Sequence, residues 1–312
     1  MPTPIKIIAF PGAPNLPVFA ALQEGYFLEQ GLDVSIETTP SSFYQIQQFH
    51  AGAFDIAFTA FDNIVAYQEG QGAVALDGGS DFRVIMGATQ IELSAIFHSS
   101  IHSSQEIRGK SLALDAVGTG FAFVFYAMLE ELGLGRNDYL PVPVGATPER
   151  WQSVKDGQHI GTITIEPFTS IAKAAGFQVL RQSSQTFSAY QGGIVAARAS
   201  WLTRYAKHAQ GFIRGYLKGL AWTLDPNNRS QASELLLTKM PDIKPGVISA
   251  VMASLLSARS GLTPDGKVLL EGMKTVVELR KKYGTGSLDS SQLDQYLDLS
   301  HYQQVIHEGL FL

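Results

Sequence analysis

The sequence has 312 residues, 45% of them hydrophobic and 16% charged, with 23 basic against 28 acidic side chains and a net charge of −5. Such a chain can bury the core of about two domains, and its acidity removes any electrostatic case for nucleic acid or an anionic membrane as partner. It contains no cysteine, which excludes disulfides, thiolate metal sites and cysteine nucleophiles.

In chain order, "IKIIAF" (5–10) reads as a buried strand and "LPVFAALQEGYFLEQ" (16–30) as a helix ended by Gly31. "LDVSIET" (32–38) alternates like a strand, and "SFYQIQQFHAG" is helical with a glycine stop at Gly52. "FDIAFTA" is a strand, and "DNIVAYQEG" is a helix that Asp62 could N-cap. A second series follows: strands at "FRVIMGAT", "LSAIFHS", "SLALDA", "YLPVPVG", "IGTITI", "FQVLRQ" and "GGIVAAR", with helices from Gly120, at "TPERWQSVKDG" and at "PFTSIAKAAG". Alternation of this kind predicts α/β architecture with mostly parallel sheets. From Ala199 the strand patterns stop and long helical patterns take over, expected to return and cover the first lobe. The predicted organisation is two lobes, 1–88 plus 195–312 and an inserted 89–194, with a ligand cleft between them.

Gly118-Thr119-Gly120 lies between a strand and a helix, the layout of a phosphate or dinucleotide site. The dinucleotide fingerprint fails because its third glycine position is Phe123 and no acidic residue closes "YLPVPVG". A P-loop fails because no Gly-Lys-Ser/Thr follows. What remains is a glycine turn that delivers a helix N-terminus, capped by Thr119, into the cleft. Gly118, Thr119 and Gly120 would offer N–H or hydroxyl contacts there.

Several segments together resemble one family. Gly25-Tyr26-Phe27, Gly31-Leu32-Asp33-Val34, Gly52 with Asp55, "EIRGKSLALDAVGTGFAF" and Glu166-Pro167 occur in the order found in the type II periplasmic solute-binding proteins of ABC importers, those for sulfonates, nitrate, taurine and thiamine-pyrimidine precursors. The resemblance spans residues 1–180. It implies a two-lobed Venus-flytrap fold, no catalysis, no cofactor, a monomer, and delivery of a small solute to a membrane permease. It also implies a periplasmic or lipid-anchored location with a leader removed, since "MPTPIKIIAF" is not itself a secretory signal. The same fold hosts enzymes, so a cytoplasmic cofactor-free decarboxylase or dehydratase acting on a small carboxylic acid is the alternative.

Candidate ligand contacts sit where strands end at the crevice: Asn15 after the first strand, Ser41 and Phe43 at the start of the second helix, and Thr59, Phe61 and Asp62 after the third strand. Glu166 ends a strand of the second lobe, and Tyr190 precedes a crossover strand. Asp62 could instead cap its helix, Ser41 likewise, and Glu166 could serve as a contact between lobes. The seven histidines show no metal spacing. Only four basic residues, Lys6, Arg83, Arg108 and Lys110, occur in the first 135, so an anion bound there would rest on backbone N–H groups and hydroxyls. Asp62 and Glu166, with Phe43, Phe61 and Phe121 as stacking surfaces, favour a planar amine-bearing heterocycle such as an aminopyrimidine. A sulfonate-type anion gathered by helix N-termini comes next.

Overall fold

The computed structural model describes residues 1–285 and 288–309. Its first part alternates β1 (Thr3–Ala9), α1 (Leu16–Gln23), β2 (Leu32–Thr38), α2 (Ser42–His50), β3 (Ile56–Ala60), α3 (Phe61–Gln68) and β4 (Phe82–Thr89). The chain then crosses to a second unit: β5 (Ser94–Phe97), β6 (Ser111–Leu114), α4 (Gly120–Glu131), β7 (Leu140–Pro143), α5 (Thr147–Lys155), β8 (Gly161–Thr164), α6 (Phe168–Ala174), β9 (Gln178–Gln182) and α7 (Ser183–Thr186). It returns in β10 (Gly193–Arg198). The helices α8 (Ala199–Arg204), α9 (Ala206–Leu224), α10 (Arg229–Lys239), α11 (Ile248–Leu255), α12 (Leu270–Tyr283) and α13 (Ser300–Glu308) follow.

The strands form two five-stranded sheets, ordered β2-β1-β3-β10-β4 and β7-β6-β8-β5-β9. In each, one strand opposes the rest: β10 is antiparallel to β3 and β4, and β5 to β8 and β9. These two are the strands that enter their sheet from the other unit. A chain arriving through the crossover meets the crevice ends of the parallel strands first, so it must run against them. The expected mostly parallel sheets are therefore mixed, and the mixing records the two crossovers.

The helix predicted over 16–30 stops at Gln23. Gly25 adopts φ 75°, a left-handed conformation that breaks the ladder, and a short 3₁₀ turn, Leu28–Gln30, ends at left-handed Gly31. The break turns Phe27 inward, where its ring stacks on Phe212 of α9 at 5.4 Å between centroids. The first of the long helical patterns expected after Ala199 is likewise two helices, α8 and α9, parted at Tyr205 (φ −123°, ψ 37°).

The C-terminal helices cover the first sheet mainly through α9. Its glycines let it approach α1 closely: a Cβ on Gly219 would lie 2.2 Å from the Pro17 carbonyl oxygen, and one on Gly215 would lie 2.6 Å from the Phe27 ring. On the opposite side of the contact Tyr216 packs against Phe58 at 5.4 Å. Helix α12 does something further. It packs on α3 of the first unit and on α4 of the second, where Tyr283 stacks on Phe123 at 6.0 Å.

Gly219→Ala isolates the α1–α9 fit. Alanine is the better helix former by about 1 kcal/mol, yet the added methyl must displace backbone in a full core. We expect a net destabilisation of about 2 kcal/mol, measured by urea denaturation. A gain in stability would show that the two helices are not in tight contact.

Candidate functional site

Two contiguous cavities lie between the sheets, at the ends of β1, β3, β6 and β8 where open α/β sheets place ligands. The first is apolar, walled by Phe10, Phe58, Phe121, Ile165 and Ile194, with Asn15 and Thr59 as polar points. The second is polar and contains Ser42, Asn63, Asp115, Thr119, Thr147 and Arg150. Phe10, Ala60, Phe121 and Ile165 border both. The volumes, about 50 and 30 Å³, suit several waters or a solute of few non-hydrogen atoms.

Three helix N-termini meet at the polar cavity. Ser42, Gly120 and Thr147 are the first residues of α2, α4 and α5, and all three line it. The Ser42 N–H is taken by Asp115, but the helix dipoles and the N–H groups at the starts of α4 and α5 favour negative charge there. Arg150, one turn into α5, lies in the same wall and is 2% exposed. It donates from Nη1 to the Gly145 carbonyl at 2.7 Å, and from Nη2 to Thr147 Oγ1 at 3.0 Å and the Ile163 carbonyl at 3.1 Å. Those bonds occupy three of the five N–H donors of a guanidinium. Its Nε is buried without a partner, and no carboxylate lies within ion-pair distance among the described residues. Burial pulls its pKa down to about 10, against a smaller opposing effect from the charge of Asp115. It therefore stays cationic at neutral pH.

Asp115, the residue after β6, is the one acidic side chain lining these cavities among the described residues. Both its oxygens accept from the Ser42 N–H, at 3.1 and 3.3 Å. A carboxylate of the second unit thus occupies the N-terminus of α2 in the first. Two further bonds cross the cleft: Ala146 N–H to the Pro40 carbonyl at 2.8 Å, and Ala13 N–H to the Glu166 carbonyl at 2.9 Å.

The model of the NMT1-like family matches residues 2–237. The chain belongs to that family. Solved structures share its fold: the periplasmic nitrate-binding protein of Synechocystis superposes with a TM-score of 0.79 at 12% identity, covering 98% of this chain and 89% of that one. The alkanesulfonate-binding protein of Xanthomonas axonopodis pv. citri, bound to MOPS, gives 0.71 at 13% identity over 90% and 92%. A desulfurization enzyme gives 0.68 at 9% identity over 98% and 99%. No curated protein matches the sequence. At these identities the structural likeness establishes the two-lobed fold of the periplasmic binding proteins.

Within this NMT1-like fold, Asn15, Thr59, Thr119, Gly120 and Phe121 line the cavities. Asn15 Nδ2 is tied to the Phe10 carbonyl at 2.8 Å, and Thr59 Oγ1 accepts from Asn63 at 2.8 Å. Thr119 occupies the N-cap position of α4, but its hydroxyl donates to the Ala116 carbonyl at 3.1 Å instead of capping the helix.

The other expected contacts lie elsewhere, each for a physical reason. Ser41 is the N-cap of α2, its hydroxyl accepting from Tyr44 N–H, and the next residue, Ser42, faces the cavity instead. Phe43 is 46% exposed and lines neither cavity. Phe61 is fully buried, edge-on to Tyr296 at 5.8 Å, and so belongs to the core. Asp62 neither caps α3, whose N-cap is Ala60, nor faces the cleft. It is sealed in a bidentate ion pair with Arg280 of α12, at 2.7 and 2.6 Å. Gly118 turns its carbonyl to the same guanidinium at 3.1 Å. Tyr190 is buried beside the crossover, stacked on Phe187 at 6.0 Å. Glu166 bends back on its own helix, accepting from Ser170 Oγ at 3.0 Å and Ser170 N–H at 3.2 Å, and leaves only its backbone to bridge the lobes.

Sequence reasoning missed Arg150 and Asp115. Arg150 sits in "TPERWQSVK" among Glu149, Gln152 and Lys155, where it looks like one more solvated charge. Its only sequence signal is position: it shares the helix face of Thr147 and Val154, both buried.

Burial of Glu166 raises its pKa to about 6, against the lowering effect of its Ser170 bonds. A raised pKa means the fold prefers the protonated acid. That contribution is complete below pH 4.5 and is lost as pH rises through about 6. We expect the loss to be about 2 kcal/mol. Denaturant unfolding of the wild type and Glu166→Gln at both ends of that window should show this component only in the wild type. Equal pH dependence in the two would contradict the burial of the carboxyl.

Proposed function

We propose that this chain is the solute receptor of an ABC importer, working outside the cytoplasmic membrane, and that its solute is a small organic anion. Residues 89–194 form the lobe that closes on it. The observation that carries the reading is Arg150: a buried guanidinium with an unpartnered Nε, on a residue that lines a cavity where three helix N-termini also meet. A sulfonate or carboxylate head bonded to Arg150 would offset its desolvation, and the apolar body would fill the chamber beyond Phe121. The nitrate- and alkanesulfonate-binding relatives in fold support an anion. An aminopyrimidine is less well supported, because Asp62 is neutralised by Arg280 and Glu166 is held by Ser170. Among the described residues lining the two cavities, Asp115 alone carries a carboxylate to attract an amine.

A thermal-shift panel of short alkanesulfonates, small carboxylates and aminopyrimidines separates these classes, since a bound ligand raises apparent stability. The anions should raise the melting temperature. For the best of them, Arg150→Gln should weaken calorimetric affinity by roughly 30-fold, the value of about 2 kcal/mol for a hydrogen bond to a charged group. Asp115→Asn should not weaken it. The reverse pattern, loss with Asp115→Asn and retention with Arg150→Gln, would establish a cationic solute and overturn the proposal.

A further inference from the structure

Helix α12 lies along the crossover between the two units and touches both. At its start a Cβ on Gly272 would stand 2.5 Å from the Gln191 nitrogen, so the helix rests directly on the crossover backbone. Just before it, the Leu269 N–H donates to Gln191 Oε1 at 2.8 Å. At its end Tyr283 stacks on Phe123, and Lys282 pairs with Glu130, both of α4 in the second unit. Between these ends Arg280, 2% exposed, binds Asp62 of the first unit through two bonds and the Gly118 carbonyl of the second through a third. Its guanidinium also lies 5.0 Å from the Phe123 ring centre. Gly120 completes the contact by having no side chain: a Cβ there would be 2.4 Å from the Asp62 Cβ.

The turn Gly118-Thr119-Gly120-Phe121 therefore has two sides. Thr119, Gly120 and Phe121 line the cleft, while Gly118 and the back of Gly120 rest on the Asp62–Arg280 pair. We propose that Arg280 is a positioning residue. By holding Asp62 and the Gly118 carbonyl together, it fixes the second lobe, and with it the ligand-facing turn, in the orientation that forms the cleft. A guanidinium suits this because its planar fork engages a carboxylate with two donors and keeps others for the carbonyl. The role does not depend on which solute the cleft accepts.

The chain has no cysteine, so Leu28→Cys and Leu140→Cys, at positions 58% and 61% exposed on the first and second units, give two unique labels. Pulsed electron–electron resonance between spin labels then reads the lobe-to-lobe distance without ligand. The unsubstituted background should give a single narrow distribution. Arg280→Met removes the bridge, and Gly120→Ala forces the turn off Asp62 while strengthening α4 as a helix. Both should broaden the distribution and shift its mean. Circular dichroism establishes that each variant is folded, and if Arg280→Met does not fold, Gly120→Ala decides alone. An unchanged distance distribution in either folded variant overturns the proposal.

Discussion

A guanidinium taken out of water must find opposite charge or a full set of acceptors, or it costs several kcal/mol. Among the described residues the chain buries two such groups at the boundary between its lobes and treats them differently. Arg280 receives the whole answer from the protein: two oxygens of Asp62, the Gly118 carbonyl and Gln71 Oε1. Arg150 receives two carbonyls and one hydroxyl, all neutral, and keeps an unpartnered Nε. The first is a completed structural joint. The second belongs to a residue that lines the polar cavity and feels the charge of Asp115 only at a distance, and on the proposed reading an anionic solute would complete its partners.

The topology explains why helix N-termini gather beside Arg150. Each sheet takes one antiparallel strand from the opposite unit, which brings the crevice ends of the parallel strands face to face across the crossovers. The helices following those strands then begin at the same place. That convergence puts the first residues of α2, α4 and α5 around one polar cavity. Close backbone approach keeps it small. Gly120 admits Asp62, and a Cβ on Gly12 would meet Ile165 at 2.8 Å. The polar end and the apolar chamber are thus separate in chemistry but continuous in space, joined at Phe121 and Ile165.

Much of the fold was legible because periodicity is local. The strands over Leu32–Thr38 and Phe82–Thr89 fall where alternation and apolar runs place them, and the family resemblance gave the two-lobed architecture. The strand-end rule also found part of the cleft, including Asn15, Thr59 and the Thr119–Phe121 turn. What escaped was long-range pairing. Asp62 reads as an available carboxylate until Arg280, 218 residues later in the chain, neutralises it. Glu166 reads as a ligand contact until Ser170 on the next turn claims both its oxygens. Counting the few basic residues in the first 135 suggested an anion site made of backbone N–H groups and hydroxyls, yet a buried cation that lines the cavity lies just past that stretch, at Arg150. The one local sign of its burial, a helix face shared with Thr147 and Val154, is weak on so polar a helix.

The central claim is that Arg150 awaits the charge of the solute. A crystal structure of the protein with its tightest-binding solute tests it most directly. The account predicts an anionic oxygen within hydrogen-bond distance of Arg150 Nε, with the apolar body of the solute in the chamber walled by Phe10, Phe58 and Phe121. A solute whose charged group pairs with Asp115, leaving Arg150 Nε without a partner, would contradict it.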